Sequence, residues 1–347
     1  MIATPTLGES APARAASKLL PSLGLLLVTG GLFLLGWFAY LWLKPELPPY
    51  RYQLVEEGGI AKFGALGLEA WPNLTISKYE VRVDTVDKPI AVAYRATRGS
   101  SVPVLLYWEN LLPEPLSSMG TLLSETTALA AALATHVPKD AIILSWWDTS
   151  RQIKLLAERD TLFTSHLSQP VIVPSYWKGR IGAIGKYEQE FWGTQASAEE
   201  PRQFQRFVEA LMAYPSEGAR LLRELAGSRE AYVVVHVADI YKLGLMHPER
   251  LDVAFKNFPL TGNVHGLTGQ VKAWLKSNGY DTYTLQSLSE KEVRAYFLRE
   301  SGASNMLLAR MLPFSNWRPL DLEALHPIHK EGGYWIYKIP PAELSGA

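Results

Sequence analysis

Cysteine is absent from the 347-residue chain, which removes a disulfide frame, a thiol nucleophile, iron–sulfur ligation and a C-x-x-C-H attachment site for c-type haem. A redox centre acting with this chain would therefore belong to a partner. Net charge is absent as well: Lys plus Arg and Asp plus Glu both total 34. With no global positive field to hold a phosphate backbone, nucleic acid is not expected as a partner. There is no internal repeat, no low-complexity tract and no G-x-S-x-G elbow. Gly179, Gly182 and Gly185 in GRIGAIGKY miss the G-x-G-x-x-G spacing, and Tyr187 stands where a Walker lysine needs Ser or Thr next, so a turn is expected there. The pair His326 and His329 lacks a third ligand, and Pro327 opposes a regular helix, so a polar loop is expected rather than a metal site.

What is present begins with an uncharged run. Ser22–Leu43, SLGLLLVTGGLFLLGWFAYLWL, would span about 33 Å as a helix, slightly more than the ~30 Å hydrocarbon core of a bilayer. Trp37, Tyr40 and Trp42 gather at its C-terminal end, where amphipathic rings favour the membrane boundary. The following LKPELPPYRY offers no small-residue cleavage site, so a retained transmembrane helix is expected rather than a signal peptide. Arg14 and Lys18 precede the span while Lys44 and Glu46 follow it, a bias that places residues 1–21 in the cytoplasm. The chain would then be a single-pass protein of a bacterial inner membrane, with its bulk in the periplasm.

Hydrophobic residues make up 48% of the chain and charged residues 20%, a composition able to bury a core. YEVRVDT, PIAVAYRA and PVLLYW, between Tyr79 and Trp108, read as strands joined by turns, so residues 44–114 form a Pro-rich spacer and a β-rich membrane-proximal part. Beyond that, helical and strand patterns alternate. A helix carrying Leu122, Leu129 and Leu133 precedes the strand AIILSW, and a second helix carries Ile153, Leu156 and Ala157. VIVP at 171–174 is expected to be a strand, 201–213 and 217–226 helices, and AYVVVHV at 231–237 a buried strand. Helices are expected over 265–277 and 290–300, with GGYWIYKI as a closing extended segment. The fold class is therefore α/β, residues 115–347 forming an α/β domain with a mostly parallel central sheet.

Candidate function centres on IILSWWDTSRQIKLLAERDTLF, residues 142–163. Asp148 stands where strand gives way to helix, and a carboxylate there can accept from free first-turn N–H groups. Trp146 and Trp147 would point to opposite sides of a continuing strand, one into the core and one onto a mouth above the sheet. The stretch resembles the region around the WWD motif of oligosaccharyltransferase catalytic subunits, and Asp239-Ile240-Tyr241-Lys242-Leu243-Gly244-Leu245-Met246 fits that family's D-x-x-K-x-x-x-(M/I) pattern after a second buried strand. By that resemblance Trp146, Trp147 and Asp148 would hold the hydroxyl of a peptide Ser or Thr and Met246 would touch its methyl group. Lys242 would lie one helical turn before Met246 on the same face. Thr149-Ser150 departs from the family's Tyr-Gly, and a single apolar span leaves no multi-helix catalytic membrane domain, so glycosyl transfer is not expected.

Taken whole, one N-terminal anchor, a β-rich neck and a WWD-bearing domain resemble the HaoB family, hydroxylamine oxidation proteins encoded beside a multihaem hydroxylamine oxidoreductase in nitrifying and methane-oxidising bacteria. The resemblance implies an accessory protein whose electron-carrying partner is that enzyme or another cytochrome. The expected role is non-catalytic binding of a protein or peptide, with Trp146, Trp147, Asp148, Asp239, Lys242 and Met246 as binding residues and no cofactor, metal or catalytic residue assigned. The alternative is an enzyme of unrecognised type, using His236 or Asp239 in a cleft at the C-terminal ends of the strands.

Overall fold

The run AYVVVH is apolar up to its closing histidine because both faces of its strand are covered. In the computed structural model, which describes residues 19–43, 46–193, 196–260, 264–299 and 303–341, it forms β7 (Ala231–His236), with every residue buried. Alternate side chains serve different cores. Ala231, Val233 and Val235 face one, while Tyr232 and Val234 face the other. Period-two alternation is thus present in the packing but invisible in the hydropathy, as in any strand covered on both sides.

β7 is central in a five-stranded sheet. On one side it pairs in parallel with β5 (Ile142–Ser145), which pairs in parallel with β6 (Asp160–Thr161). On the other side β12 (Tyr334–Ile339) runs antiparallel, followed by antiparallel β11 (His326–Glu331). The expectation of a mostly parallel sheet is therefore met in one half only. β11 and β12 form a hairpin, and a hairpin brings an antiparallel neighbour whichever edge it joins. Composition marks GGYWIYKI as extended but carries no direction.

One face of this sheet packs against α5 (Glu200–Met212), α6 (Pro215–Ala226) and α9 (Leu307–Met311). Gly218 permits the closest approach there, since a Cβ on it would stand 2.4 Å from the Ala210 carbonyl oxygen. The opposite face is covered by α2 (Leu123–His136) and α3 (Trp147–Ala157). Beyond those helices lies an antiparallel sheet, β1 (Arg51–Gly59), β2 (Leu74–Arg82), β3 (Ala91–Arg98) and β4 (Val104–Asn110). Ile76, Ala96 and Leu106 of that sheet share a core with Leu133, Ile143 and Ile153, so residues Pro48–Ala347 cluster as one unit. The same antiparallel sheet carries a second, aromatic core against α4 (Ile181–Trp192), built from Tyr50, Tyr79, Trp108 and Ile184.

Four local expectations are corrected. Residues 290–300 hold a strand, β10 (Glu292–Leu298), not a helix, because β10 is central between β8 (Val253–Pro259) and β9 (Thr282–Ser289). Its two neighbours supply more than its helix-favouring charges and Leu could gain locally. VIVP is not a strand: Pro170 before it and Pro174 at its end lack N–H donors, and Val171 and Val173 are only partly buried. Gly182 and Gly185 lie inside α4 rather than in a turn, and His326 and His329 lie on the strand β11 rather than in a loop. The helix α8 (Val264–Ser277) covers the three-stranded sheet through Leu267 and Val271.

The N-terminal unit is the helix α1 (Leu19–Leu43). Its segment Ser22–Leu43 has a mean hydropathy of 1.9, none of it is buried, and it is long and apolar enough to cross a membrane. Arg14, Lys18 and Lys44, on which the orientation argument rests, lie outside the described residues.

Removing three heavy atoms from Ile143, fully buried in the core between the sheets, is expected to cost about 2–5 kcal/mol. Urea unfolding of Ile143→Ala measures this. A loss below about 1 kcal/mol would mean that the two sheets do not share a tightly packed core.

Candidate functional site

β5 and β7 run parallel, with Ser145 opposite Val234, so both chains leave the sheet at the same edge. α3 starts at once after β5, and α7 (Asp239–Met246) starts just after β7. The WWD segment and the D-x-x-K segment are thereby delivered side by side, each with an aspartate in its first turn. Lys242 joins them: its Nζ lies 2.8 Å from Asp148 Oδ2 and 3.1 Å from Asp239 Oδ1. The other oxygens are held locally. Asp148 Oδ1 accepts from the Thr149 N–H at 2.7 Å, and Asp239 Oδ2 from the His236 N–H at 2.8 Å. Trp146, not Asp148, occupies the cap position of α3.

Lys242 and Asp239 are buried. Burial opposes the ammonium charge, but the two carboxylates more than offset it and hold Lys242 above the usual lysine range. The ammonium also stands 5.3 Å from the centre of the Trp146 ring.

Both tryptophans pack into one core, and because the strand ends at Ser145, before either of them, strand alternation does not separate them. Trp146 packs edge-on against Phe204, 5.3 Å between ring centres, inside the core. Trp147 lines a cleft together with Asp148, His166, Glu188, His236, Lys242 and Tyr334. Both indole N–H groups donate to one acceptor, the carbonyl oxygen of Gln169, at 3.2 Å from Trp146 and 2.6 Å from Trp147. The donors that the resemblance assigns to a ligand hydroxyl are thus held by the chain itself. Met246 lies at the far end of α7, is half-buried against the core, and does not line the cleft.

The cleft holds about 60 Å3. That accommodates a few waters or one small polar group, against roughly 300–1,000 Å3 for pockets that enclose a whole organic ligand. Its chemistry is dense for that size. His236 accepts from the Ala238 N–H at Nδ1, 3.1 Å away, which places the proton of the neutral ring on Nε2. That Nε2 lies 3.5 Å from Glu125 Oε2 and makes no hydrogen bond among the described residues. The β11–β12 turn passes so close that a Cβ on Gly333 would stand 2.3 Å from it.

At the opposite wall, Glu188 is buried and accepts from Tyr50 Oη at 2.5 Å, Tyr52 Oη at 2.7 Å and Trp192 Nε1 at 2.9 Å. Burial raises its carboxyl above the ordinary range, and these three donors only partly offset that. His166 sits between two indoles, 4.4 Å from the Trp147 ring centre and 5.8 Å from that of Trp192. Burial, and then the Arg151 guanidinium, push its imidazole well below the ordinary value of 6.5.

Sequence reasoning missed His166, Glu188, Glu125 and Tyr334. Each stands on a segment whose local pattern is unremarkable, and only the fold brings them to the WWD segment.

These elements define a mixed α/β body with a polar cleft at the exit of its parallel strands. Solved structures similar to this chain include the C-terminal globular domain of an oligosaccharyltransferase from Archaeoglobus fulgidus, at 9% identity and a TM-score of 0.29, covering 62% of this chain and 97% of that domain. The C-terminal domain of C. jejuni PglB matches at 10% identity and a TM-score of 0.35, covering 62% and 99%. Superpositions this loose assign no role to any residue here. No curated protein matches the sequence. The family model described as HaoA-associated protein HaoB matches residues 16–339, and the chain belongs to that family.

Lys242→Met is expected to strip Asp239 of its countercharge at a cost of about 3–5 kcal/mol, with partial recovery when Asp239→Asn is added. Urea denaturation of both variants checks this, and a single-variant loss below about 1 kcal/mol would show that the bridge is not structural. His166, depressed when folded, contributes stability that is complete above its unfolded value near 6.5 and is lost as pH falls through that value toward the folded one. Between pH 7 and pH 5, His166→Gln should therefore lose stability less steeply than the parent chain. Parallel slopes in pH-dependent urea melts would contradict the assignment.

Proposed function

We propose that this chain is a membrane-anchored accessory protein of hydroxylamine oxidation that holds its partner through the Trp147–Asp148–Lys242 cleft. Ser22–Leu43 is the single inner-membrane anchor, and the body beyond it is periplasmic. The partner is HaoA, read as the multihaem hydroxylamine oxidoreductase, or a cytochrome acting with it. Family membership supports the setting, since the family is described by its association with HaoA. The observation that carries the reading is the Lys242 bridge, which fixes two segments 94 residues apart in one recess.

The size of the recess favours recognition of a side chain over enclosure of a cofactor. Asp148 is partly exposed beside Lys242, whose ammonium orients it. An incoming hydroxyl or amide N–H would be accepted by Asp148 while Trp147 covers its apolar flank. The absence of cysteine fits an accessory role, in which the haems belong to the partner.

A second reading, an enzyme working at the strand ends, is favoured by His236 and Glu125, whose Nε2 and Oε2 lie 3.5 Å apart and have no hydrogen-bond partner among the described residues. Such a pair can relay a proton. The two readings separate in one variant: His236→Gln would abolish turnover under the enzyme reading and only weaken partner capture under the binding reading.

Affinity capture of the tagged full chain from native membranes is expected to recover HaoA, and Trp147→Ala with Asp148→Asn to reduce that recovery at least about tenfold. Unchanged recovery by a variant with native circular dichroism would eliminate the cleft as the binding face.

A further inference from the structure

A separate cavity of about 420 Å3 lies where the β3–β4 turn meets α3. Its size falls within the range of pockets that take small organic ligands. Val102, Val104 and Leu155 supply apolar walls, and Arg98, Arg151 and Lys154 bring three cations against the single carboxylate of Glu158. Lys154 is engaged elsewhere, 3.3 Å from Asp160.

The two guanidinium groups are less well satisfied. Arg151 is 3% exposed, its Nη2 donates to the Pro103 carbonyl, and its Nε has no acceptor among the described residues. Arg98 pairs through Nη1 with the exposed Glu158 at the rim, while its own Nε is buried and likewise lacks an acceptor. Buried charged donors in native proteins are almost always matched. Both Nε–H groups are closed off from solvent, so it is the outer edges of the two guanidinium groups that a ligand in the apolar-walled cavity would meet.

We propose that this cavity binds a small organic carboxylate, whose oxygens are taken by Arg98 and Arg151 and whose apolar body lies on Val102, Val104 and Leu155. The planar guanidinium fork matches a carboxylate, and the valine and leucine walls require that the anion carry a hydrophobic body, which inorganic phosphate does not. A free acid and the C-terminal carboxylate of a peptide share this chemistry. Arg151 also borders the central cleft, so occupancy would neutralise a charge on the wall of that second site. The inference does not depend on the identity of the partner.

Isothermal titration of the full chain in non-ionic detergent tests it, with 3-phenylpropionate, 3-phenylpropanol, and a dipeptide, acetyl-Phe-Leu, in its free-acid and amide forms. The acid should bind saturably and at least about tenfold more tightly than the alcohol, and Arg98→Gln should weaken it at least about tenfold. Val102→Trp, at a position 48% exposed, should fill the cavity and abolish binding without unfolding the chain. Tighter binding of acetyl-Phe-Leu than of its amide, at an affinity matching 3-phenylpropionate, would assign the carboxylate to a peptide terminus; binding of 3-phenylpropionate alone would assign it to a free acid. Equal affinity for acid and alcohol, no saturable binding, or indifference to both substitutions would overturn the proposal.

Discussion

A buried ammonium between two carboxylates organises this molecule. Lys242 is nearly removed from solvent, where an unpaired charge would be intolerable, so its position dictates that Asp148 and Asp239 converge on it. That convergence is possible only because β5 and β7 are parallel neighbours whose ends open on one edge. Two helices then begin within reach of each other, and their N-termini, each partly positive, crowd against the lysine. An aspartate in each first turn offsets both the helix ends and the ammonium. Chain direction, helix placement and side-chain charge are one coupled arrangement.

The rest of the body exists to keep that edge dry and fixed. Cores on both faces of the five-stranded sheet immobilise β7, and the glycine turn of the β11–β12 hairpin lies against the His236 ring at a distance no side chain would allow. Across the cleft, three aromatic donors converge on Glu188, Tyr50 from just before β1, Tyr52 from its start and Trp192 from the end of α4. The recess therefore has acids and bases on both walls and very little volume. Such a space orients one polar group strongly and excludes anything large, a property suited to recognising a protruding side chain.

Much of this was legible in the sequence, and the reason is local. The helix over 200–212, the strand over 231–236 and the helix after WWD are each written in a single uninterrupted pattern. The pairing of WWD with D-x-x-K was legible too, because each motif follows a buried strand and parallel strands share an exit. What failed depended on neighbours. Glu292–Leu298 has a helix-like composition and became a strand because two strands flank it. Direction of the closing strand is set by its hairpin, which leaves no mark in composition. Met246 satisfies its motif in spacing, but α7 ends there and its side chain turns to the core. Glu125, His166 and Tyr334 carry no pattern of their own, and their role arises only where α2, the loop after β6 and β12 meet.

The Gln169 carbonyl changes what tryptophans in this position can do. It already accepts both indole N–H groups, so a ligand oxygen approaching either ring exchanges one hydrogen bond for another and gains little from it. Discrimination must then come from groups that the chain leaves open. Trp147 offers its ring surface, Asp148 an accessible edge, and Glu125 and His236 unmatched polar atoms. A ligand that brings a donor for the acid and an apolar flank for the ring improves on the unliganded state at each contact, whereas one that brings only an acceptor for the indoles improves on nothing. Under the proposed binding role, Asp148 and Glu125 would favour a ligand donor and the His236 Nε2–H an acceptor, whereas the indole N–H groups, held by a backbone carbonyl 22 residues downstream of Trp147, would favour neither.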